Sequence, residues 1–327
     1  MNNAKQFFLS KVKFVMMIVG IIILALLVRS IGWPQFVGVV HSFDLWIVAL
    51  AAIPWLLTLC FGALRLKSLI RSHLTFLEVF RIFVYGYLLN YASAIQGIGA
   101  GAKVGLLKLK KISIGKSSAS VGLEIVYDII ITLIISCVFF IYHIDFVLEK
   151  IKPLVNVTLF VVAALVLIIM IIALFITRKN MHVTEFITHF FSALRWSHLI
   201  RLLPLSLLLW ILPSVMMILF FYAAGYPVTF WLALSAVSMS FILGLVSLIP
   251  GGLGVRDAIL AYVYSLAGIP LEVTISIAVF NRVFTIGTVL GIIILIKGYD
   301  LATGNRGGKN YIKEWTERRR QHDNEGF

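Results

Sequence analysis

Apolar residues in this chain come in long unbroken blocks, with charged residues gathered into short clusters between them. Apolar runs occupy 14–31, 45–64, 117–142, 154–177 and 202–224. Each is close to the roughly 20 residues that a helix needs to cross the hydrocarbon core of a bilayer. Across 202–255 there is no Asp, Glu, Lys or Arg, a run that no water-soluble core requires. Two further stretches are apolar but interrupted. One lies between Arg81 and Lys103 and ends in the run Gln96-Gly97-Ile98-Gly99-Ala100-Gly101-Ala102. The other covers 229–296 and is broken at Pro250-Gly251-Gly252-Leu253-Gly254. The pattern predicts an all-α integral membrane protein.

The basic residues set the expected topology. Lys5, Lys11 and Lys13 precede the first run; Arg65, Lys67, Arg71 and Arg81 follow the second; Lys103, Lys108, Lys110, Lys111 and Lys116 follow the glycine run. Arg178, Lys179, Arg195 and Arg201 follow 154–177, and Lys297 and the tail close the chain. Cytoplasmic loops of membrane proteins carry an excess of Lys and Arg. The stretch between Arg81 and Lys103 therefore has cytoplasmic loops on both sides, so it must enter and return from one face. Its turn is placed at Gly97, Gly99 and Gly101. The same device is expected from the opposite face, with Pro250, Gly251, Gly252 and Gly254 as the break.

The expectation is thus six spanning helices plus two re-entrant helix pairs, near 82–113 and 229–268, in an inverted repeat. Both termini fall in the cytoplasm. The chain divides into a first span and outer loop (1–44), a first membrane half (45–177) and an interfacial segment (178–201). A second, inverted half (202–298) and a polar tail (299–327) follow. A shift of 155 residues aligns Gly97 with Gly252, Gly99 with Gly254 and Tyr127 with Arg282. The turns after the two pairs are placed at Ile114-Gly115 and Ile269-Pro270. Inverted repeats with broken helices are a transporter signature. The N-terminal run lacks a small-residue cleavage site and reads as a retained span.

Composition agrees. Of 327 residues, 61% are hydrophobic and 13% charged, against about 25% charged in a soluble domain; mean hydropathy is +1.03. Net charge is +14, read as basic cytoplasmic loops and not as a nucleic-acid footprint, since no basic motif sits on a soluble module. Cys60 and Cys137 lie in apolar runs, which excludes a disulfide framework. The histidines show no HExxH spacing, and neither a dinucleotide fingerprint nor a phosphate-loop lysine is present. No metal, cofactor or catalytic residue is expected, and the chain is not read as an enzyme.

Ionisable residues inside apolar runs are expensive and face a cavity or a partner. Glu124 and Asp128, spaced i and i+4, share one helix face. Arg256 and Asp257 follow the second break, and Arg282 follows Asn281 in the last run. Lys103 and Asn90 flank the first break. Arginines beside a helix N-terminus suit a phosphate. Two readings stay open: a polar substrate cavity formed by these residues, or ion pairs of Glu124 and Asp128 with Arg282 or Arg256 that hold the halves together.

The string Pro250-Gly-Gly-Leu-Gly-Val-Arg-Asp257, followed by Gly268-Ile-Pro270 and Asn281-Arg282, resembles the second-half signature of the lysylphosphatidylglycerol synthase transmembrane region. This is a flippase-like family of membrane proteins. Gly86-Tyr87-Leu-Leu-Asn90, Lys103, Ile112-Ser-Ile114, Glu124 and Asp128 are similar to its first half. Ile125 stands where the family's Glu-Arg-x-x-Asp motif has Arg, and Asp257 where Glu is common. The best-known members append a soluble aminoacyl-transferase domain, which these 327 residues do not include, so the resemblance implies the translocating part alone. Other members accompany polyprenyl-linked sugar pathways.

The expected function is translocation of a phosphate-bearing lipid, either an aminoacyl phospholipid or a polyprenyl-linked intermediate, across the cell membrane. The substrate-binding set is Arg256, Asp257, Arg282, Asn281, Glu124, Asp128, Lys103 and Asn90. The alternatives are an intramembrane enzyme with Glu124 and Asp128 as acid and base, or a structural partner of a membrane glycosyltransferase. Expected partners are a membrane lipid and no nucleic acid, with homo-oligomerisation or association with a lipid-modifying enzyme compatible with the reading.

Overall fold

The computed structural model describes residues 29–92, 98–142, 196–246 and 254–302, with isolated positions at 22, 25, 26, 188, 190 and 252. The greater part of the span expected at 14–31, all of 154–177, most of the interfacial segment and the tail from 303 lie outside the described residues. So do Gly97, Pro250 and Gly251.

The described elements are α1 (Trp33–His41), α2 (Leu45–Ile70), α3 (Phe76–Ala92), α4 (Ile98–Leu109), α5 (Ile114–Tyr142), α6 (Trp196–Ala223), α7 (Phe230–Val246), α8 (Val255–Leu266) and α9 (Leu271–Ala302). Four are long and apolar enough to cross a membrane over Leu45–Ile70, Ile114–Ser136, Leu202–Ala223 and Leu271–Ala302. The protein is an all-helical, multi-pass integral membrane protein.

Helix lengths repeat. From α2 to α5 they are 26, 17, 12 and 29 residues, and from α6 to α9 they are 28, 17, 12 and 32. Packing repeats as well. α3 lies on α4 as α7 lies on α8, and α4 on α5 as α8 on α9. α2 packs along α6, while α7 reaches α5 and α3 reaches α9. At about 1.5 Å per residue, the described 17- and 12-residue stretches extend roughly 26 and 18 Å.

Hydrogen bonds fix which helix ends are neighbours. The Asp44 N–H, at the start of α2, donates to the Ala223 carbonyl at the end of α6 (3.1 Å). At the opposite end, Lys110 after α4 bonds Glu78 in the first turn of α3 (2.6 Å). The Lys116 ammonium in α5 donates to the Arg71 carbonyl just past α2 (3.1 Å). Arg81 in α3 pairs with Asp300 near the end of α9 (2.8 Å). The α3–α4 pair therefore opens where α2 ends. The α7–α8 pair follows α6 and opens at the other end, beside the start of α2. The Lys110 ammonium and the Thr75 N–H hold the Glu78 carboxyl below the usual carboxylate range.

The two ends also differ in chemistry. Trp46, Tyr222 and Trp231, at the start of α2, the end of α6 and the start of α7, are 86%, 59% and 60% exposed, as interfacial aromatics are. The other end carries Lys67, Arg71, Lys108, Lys110, Lys111 and Lys116.

The same backbone turns recur with different side chains. Arg71 (φ 46°) ends α2 in the left-handed region as Gly225 (φ 81°) ends α6, and Lys111 (φ 63°) follows α4 as Gly268 (φ 87°) follows α8. A non-glycine residue there costs about 1–2 kcal/mol, which a cation near a helix C-terminus partly offsets.

Several expectations are corrected. The run 45–64 continues as helix to Ile70, because Arg65 finds a partner inside the bundle. Ile114-Gly115 is not the turn; both begin α5, and Lys111 makes the turn. Gly99 and Gly101 do not break the chain, since both lie within α4. Trp196 to Arg201 are helical and continuous with α6, which runs on through Pro204 and Pro213, and the membrane-length stretch within it is Leu202–Ala223. The tail begins later than 299, because α9 continues to Ala302. A shift of 157, not 155, aligns the starts of α4 with α8 and of α5 with α9. Gly99 then matches Arg256, and Tyr127 does not match Arg282.

Without a hydrophobic driving force between helices in lipid, close backbone approach carries the packing. A Cβ on Gly99 would fall 2.3 Å from the Gly86 carbonyl oxygen and 2.6 Å from the Asn90 Cβ, whereas one on Gly101 would meet nothing within 4 Å. Gly99→Ala is expected to destabilise the detergent-solubilised protein by about 1–3 kcal/mol through overpacking. Gly101→Ala is expected to stabilise it by about 0.5–1 kcal/mol through helix propensity. Thermal melts of the two variants check the contrast.

Candidate functional site

Between the two halves lies a cavity of about 360 Å³ lined by residues from α2 through α9. All eight residues singled out from the sequence line it: Asn90 on α3, Lys103 on α4, Glu124 and Asp128 on α5, Arg256 and Asp257 on α8, and Asn281 and Arg282 on α9. Gly99 and Gly252 also reach it. Gly254, with φ 75°, caps the N-terminus of α8.

The charges are arranged in pairs. Lys103 reaches Glu124 Oε2 at 2.8 Å, with the Phe83 ring centroid 4.3 Å from its ammonium. Arg65 grips Asp128 through two hydrogen bonds of 2.6 and 3.1 Å. Arg282 Nε donates to Asp257 Oδ1 at 3.1 Å, and its Nη2 lies 2.9 Å from Oδ2. Asp257 Oδ2 also accepts the Gly254 N–H (3.1 Å), so one carboxylate both caps α8 and orients the arginine of α9. Among the described lining residues, four cations (Arg65, Lys103, Arg256, Arg282) meet three carboxylates (Glu124, Asp128, Asp257). The balance is one positive charge.

These pairings correct the expected ones. Glu124 and Asp128 form ion pairs with Lys103 and Arg65 of their own half. The second-half arginine is held by Asp257, three residues past the glycine break. Lys103 is not an interfacial anchor, since its side chain is 15% exposed and points to Glu124.

Arg65 was not expected here. It sits at the end of an apolar run before Lys67 and Arg71, where a loop cation is the natural reading, yet it is only 3% exposed. The apolar residues Leu66, Leu69 and Ile70 beyond it were the available signal that the helix continues. Trp55 and Trp210 also line the cavity.

Removing one member of a buried ion pair strands the other, at a cost of about 3–5 kcal/mol. Asp128→Ala is expected to lower stability by that order, and the double variant Arg65→Met with Asp128→Leu to regain most of it. A double-mutant cycle on thermal melts in detergent measures both. If the single and double variants melt alike, the pair does not hold α2 to α5.

Comparison with known proteins agrees with the fold and the motif. A UPF0104 membrane protein of Methanothermobacter thermautotrophicus is 31% identical over 83 residues, a stretch that makes up 25% of this chain and 25% of that protein. The family model for the lysylphosphatidylglycerol synthase TM region matches residues 13–293. This covers the described helices up to the last turns of α9, with every charged group of the cavity. The chain belongs to the lysylphosphatidylglycerol synthase TM region family.

Proposed function

We propose that the protein is a flippase that carries a phosphate-bearing lipid across the cell membrane, with its headgroup passing through the cavity between the halves. The observation that carries this reading is the convergence of four cations and three carboxylates, drawn from both halves, on one cavity inside a membrane-spanning bundle. Charge at hydrocarbon depth marks a substrate path, and the positive balance favours an anion. Arg256 is the proposed phosphate contact. Arg282, oriented by Asp257, sets the field beside it. Family membership supports a lipid-related role. The catalytic alternative is weakened because Glu124 and Asp128, its acid and base, are each engaged by a cation.

The proposed topology is an inverted repeat. The α3–α4 pair re-enters from the cytoplasm and the α7–α8 pair from outside, and both termini are cytoplasmic. Equivalent turns support it: Arg71, Lys110, Lys111 and Lys116 surround one pair of turns, while 224–229 and 267–270 hold no cation. The positive-inside rule assigns these ends to opposite faces. The chain is proposed to act with a lipid substrate and beside an enzyme that makes or uses that lipid.

Two experiments test the reading. In a cysteine-free background, Tyr226→Cys is expected to react with a membrane-impermeant maleimide in intact cells, and Lys111→Cys only after permeabilisation. The reverse pattern rules out the topology. In proteoliposomes, Arg256→Ala is expected to slow phospholipid translocation at least about tenfold, the order of one charge-assisted hydrogen bond. Unchanged transport removes Arg256 from the site.

A further inference from the structure

Leaving the arginines aside, four side chains of the cavity carry a buried polar atom with no hydrogen-bond partner among the described residues. They are Trp55 (Nε1), Trp210 (Nε1), Glu124 (Oε1) and Asn281 (Oδ1). The tryptophans are 3% and 6% exposed, and Glu124 is 3% exposed. A buried donor or acceptor left unmade costs about 1–3 kcal/mol, and lipid supplies no partner.

The four atoms form a donor pair and an acceptor pair, one member of each in either half. Trp55 lies on α2 and Trp210 on α6, and each indole packs edge-on against an aromatic ring of the following helix. Trp55 meets Tyr87 at 5.2 Å and 67°, and Trp210 meets Phe241 at 4.9 Å and 69°. Both rings are therefore held in fixed poses. Glu124 on α5 and Asn281 on α9 are separated by 157, the shift that aligns the starts of those helices. Each half thus offers one donor and one acceptor to the cavity.

A phosphate diester with no donor in its head satisfies only part of this set, because it accepts hydrogen bonds from the indoles but gives nothing to the two oxygens. The cavity is also small. At about 30 Å³ of liquid per water, 360 Å³ holds on the order of a dozen waters, enough for a headgroup and not for acyl chains. We infer that the cavity selects a phosphate ester whose head itself carries hydrogen-bond donors, hydroxyls or an ammonium. Trp55 and Trp210 donate to the phosphate oxygens, and Glu124 and Asn281 accept from the head. This rests on the flippase reading and narrows its substrate.

The test is lipid binding to the full chain in detergent, read by native mass spectrometry. Phosphatidylglycerol and phosphatidylethanolamine carry head donors; phosphatidylmethanol has the phosphate diester without them. Polyprenyl phosphosugar beside the methyl ester of polyprenyl phosphate forms a second matched set. The donor-bearing member of at least one set is expected to bind about tenfold more tightly than its donor-free partner, and the set and head that win identify the source. Trp55→Phe and Trp210→Phe are expected to weaken binding of both members about fivefold each. Asn281→Leu is expected to cut the preference at least about threefold, with Glu124 left as the remaining acceptor. Melting temperatures within a few degrees of the parent show that the variants are folded.

Equal binding within both sets overturns the inference, since water then satisfies the four atoms, and leaves the phosphate-lipid reading standing. No binding of any of the five lipids overturns both. Folded tryptophan variants that bind like the parent remove the indoles from the site. A preference that Asn281→Leu leaves undiminished removes the acceptor role of Asn281.

Discussion

A charge placed at hydrocarbon depth has no water to turn to, so it must be met by another part of the protein. Arg65, Lys103 and Arg282 are each met by one carboxylate, and each of those bonds joins two helices: α2 to α5, α4 to α5, and α9 to α8. The three bonds fix the faces of five helices at once. The cavity exists because these faces are polar and cannot be closed by apolar packing. Its walls are held open by the same groups that give it its charge. Replacing any pair by well-packed apolar residues would leave a bundle that holds together without the polar interior.

The repeated packing places the site where it lies. Each half contributes one pair of helices between its longer ones, α3 with α4 and α7 with α8. Close contact within the first pair rests on Gly99 against Asn90, and within the second on Gly244 beside Arg256. In one pair the small residue is on the returning helix, and in the other it is on the entering helix. The halves therefore share a backbone plan but have diverged in which strand of the pair carries the functional side chain. The ion pairs have diverged too: Asp128 corresponds to Thr285, and the second half has no counterpart of Arg65 on α6.

Much of this was legible in the sequence because the bilayer leaves so few options. Apolar run lengths announced the long helices, and the glycine-interrupted runs announced the shorter helices between them. The eight candidate residues were found because Asn, Lys, Arg, Asp or Glu inside an apolar run is costly wherever it points. Their pairings were not legible. Arg65 and Asp128 are 63 positions apart, and Arg282 and Asp257 are 25 apart, with nothing local to mark them as partners. Arg65 itself was hidden because an arginine at the end of an apolar run looks like a loop cation until its partner is seen. The tryptophans were hidden because they count as apolar in any hydropathy pattern, and only their N–H groups betray a polar role. The glycines of α4 were misassigned because a residue that permits close packing and one that permits a sharp turn are the same letter.

The four left-handed turns carry one more consequence, for how the protein is made. Arg71 and Lys111 stand where the other half has Gly225 and Gly268, and all four have a positive φ. The turn conformation is thus kept while the side chain on it changes from cation to none. Under the proposed topology the insertion machinery reads those cations to keep their turns in the cytoplasm. One position at each corner then serves both the bend of the chain and the side on which it is retained.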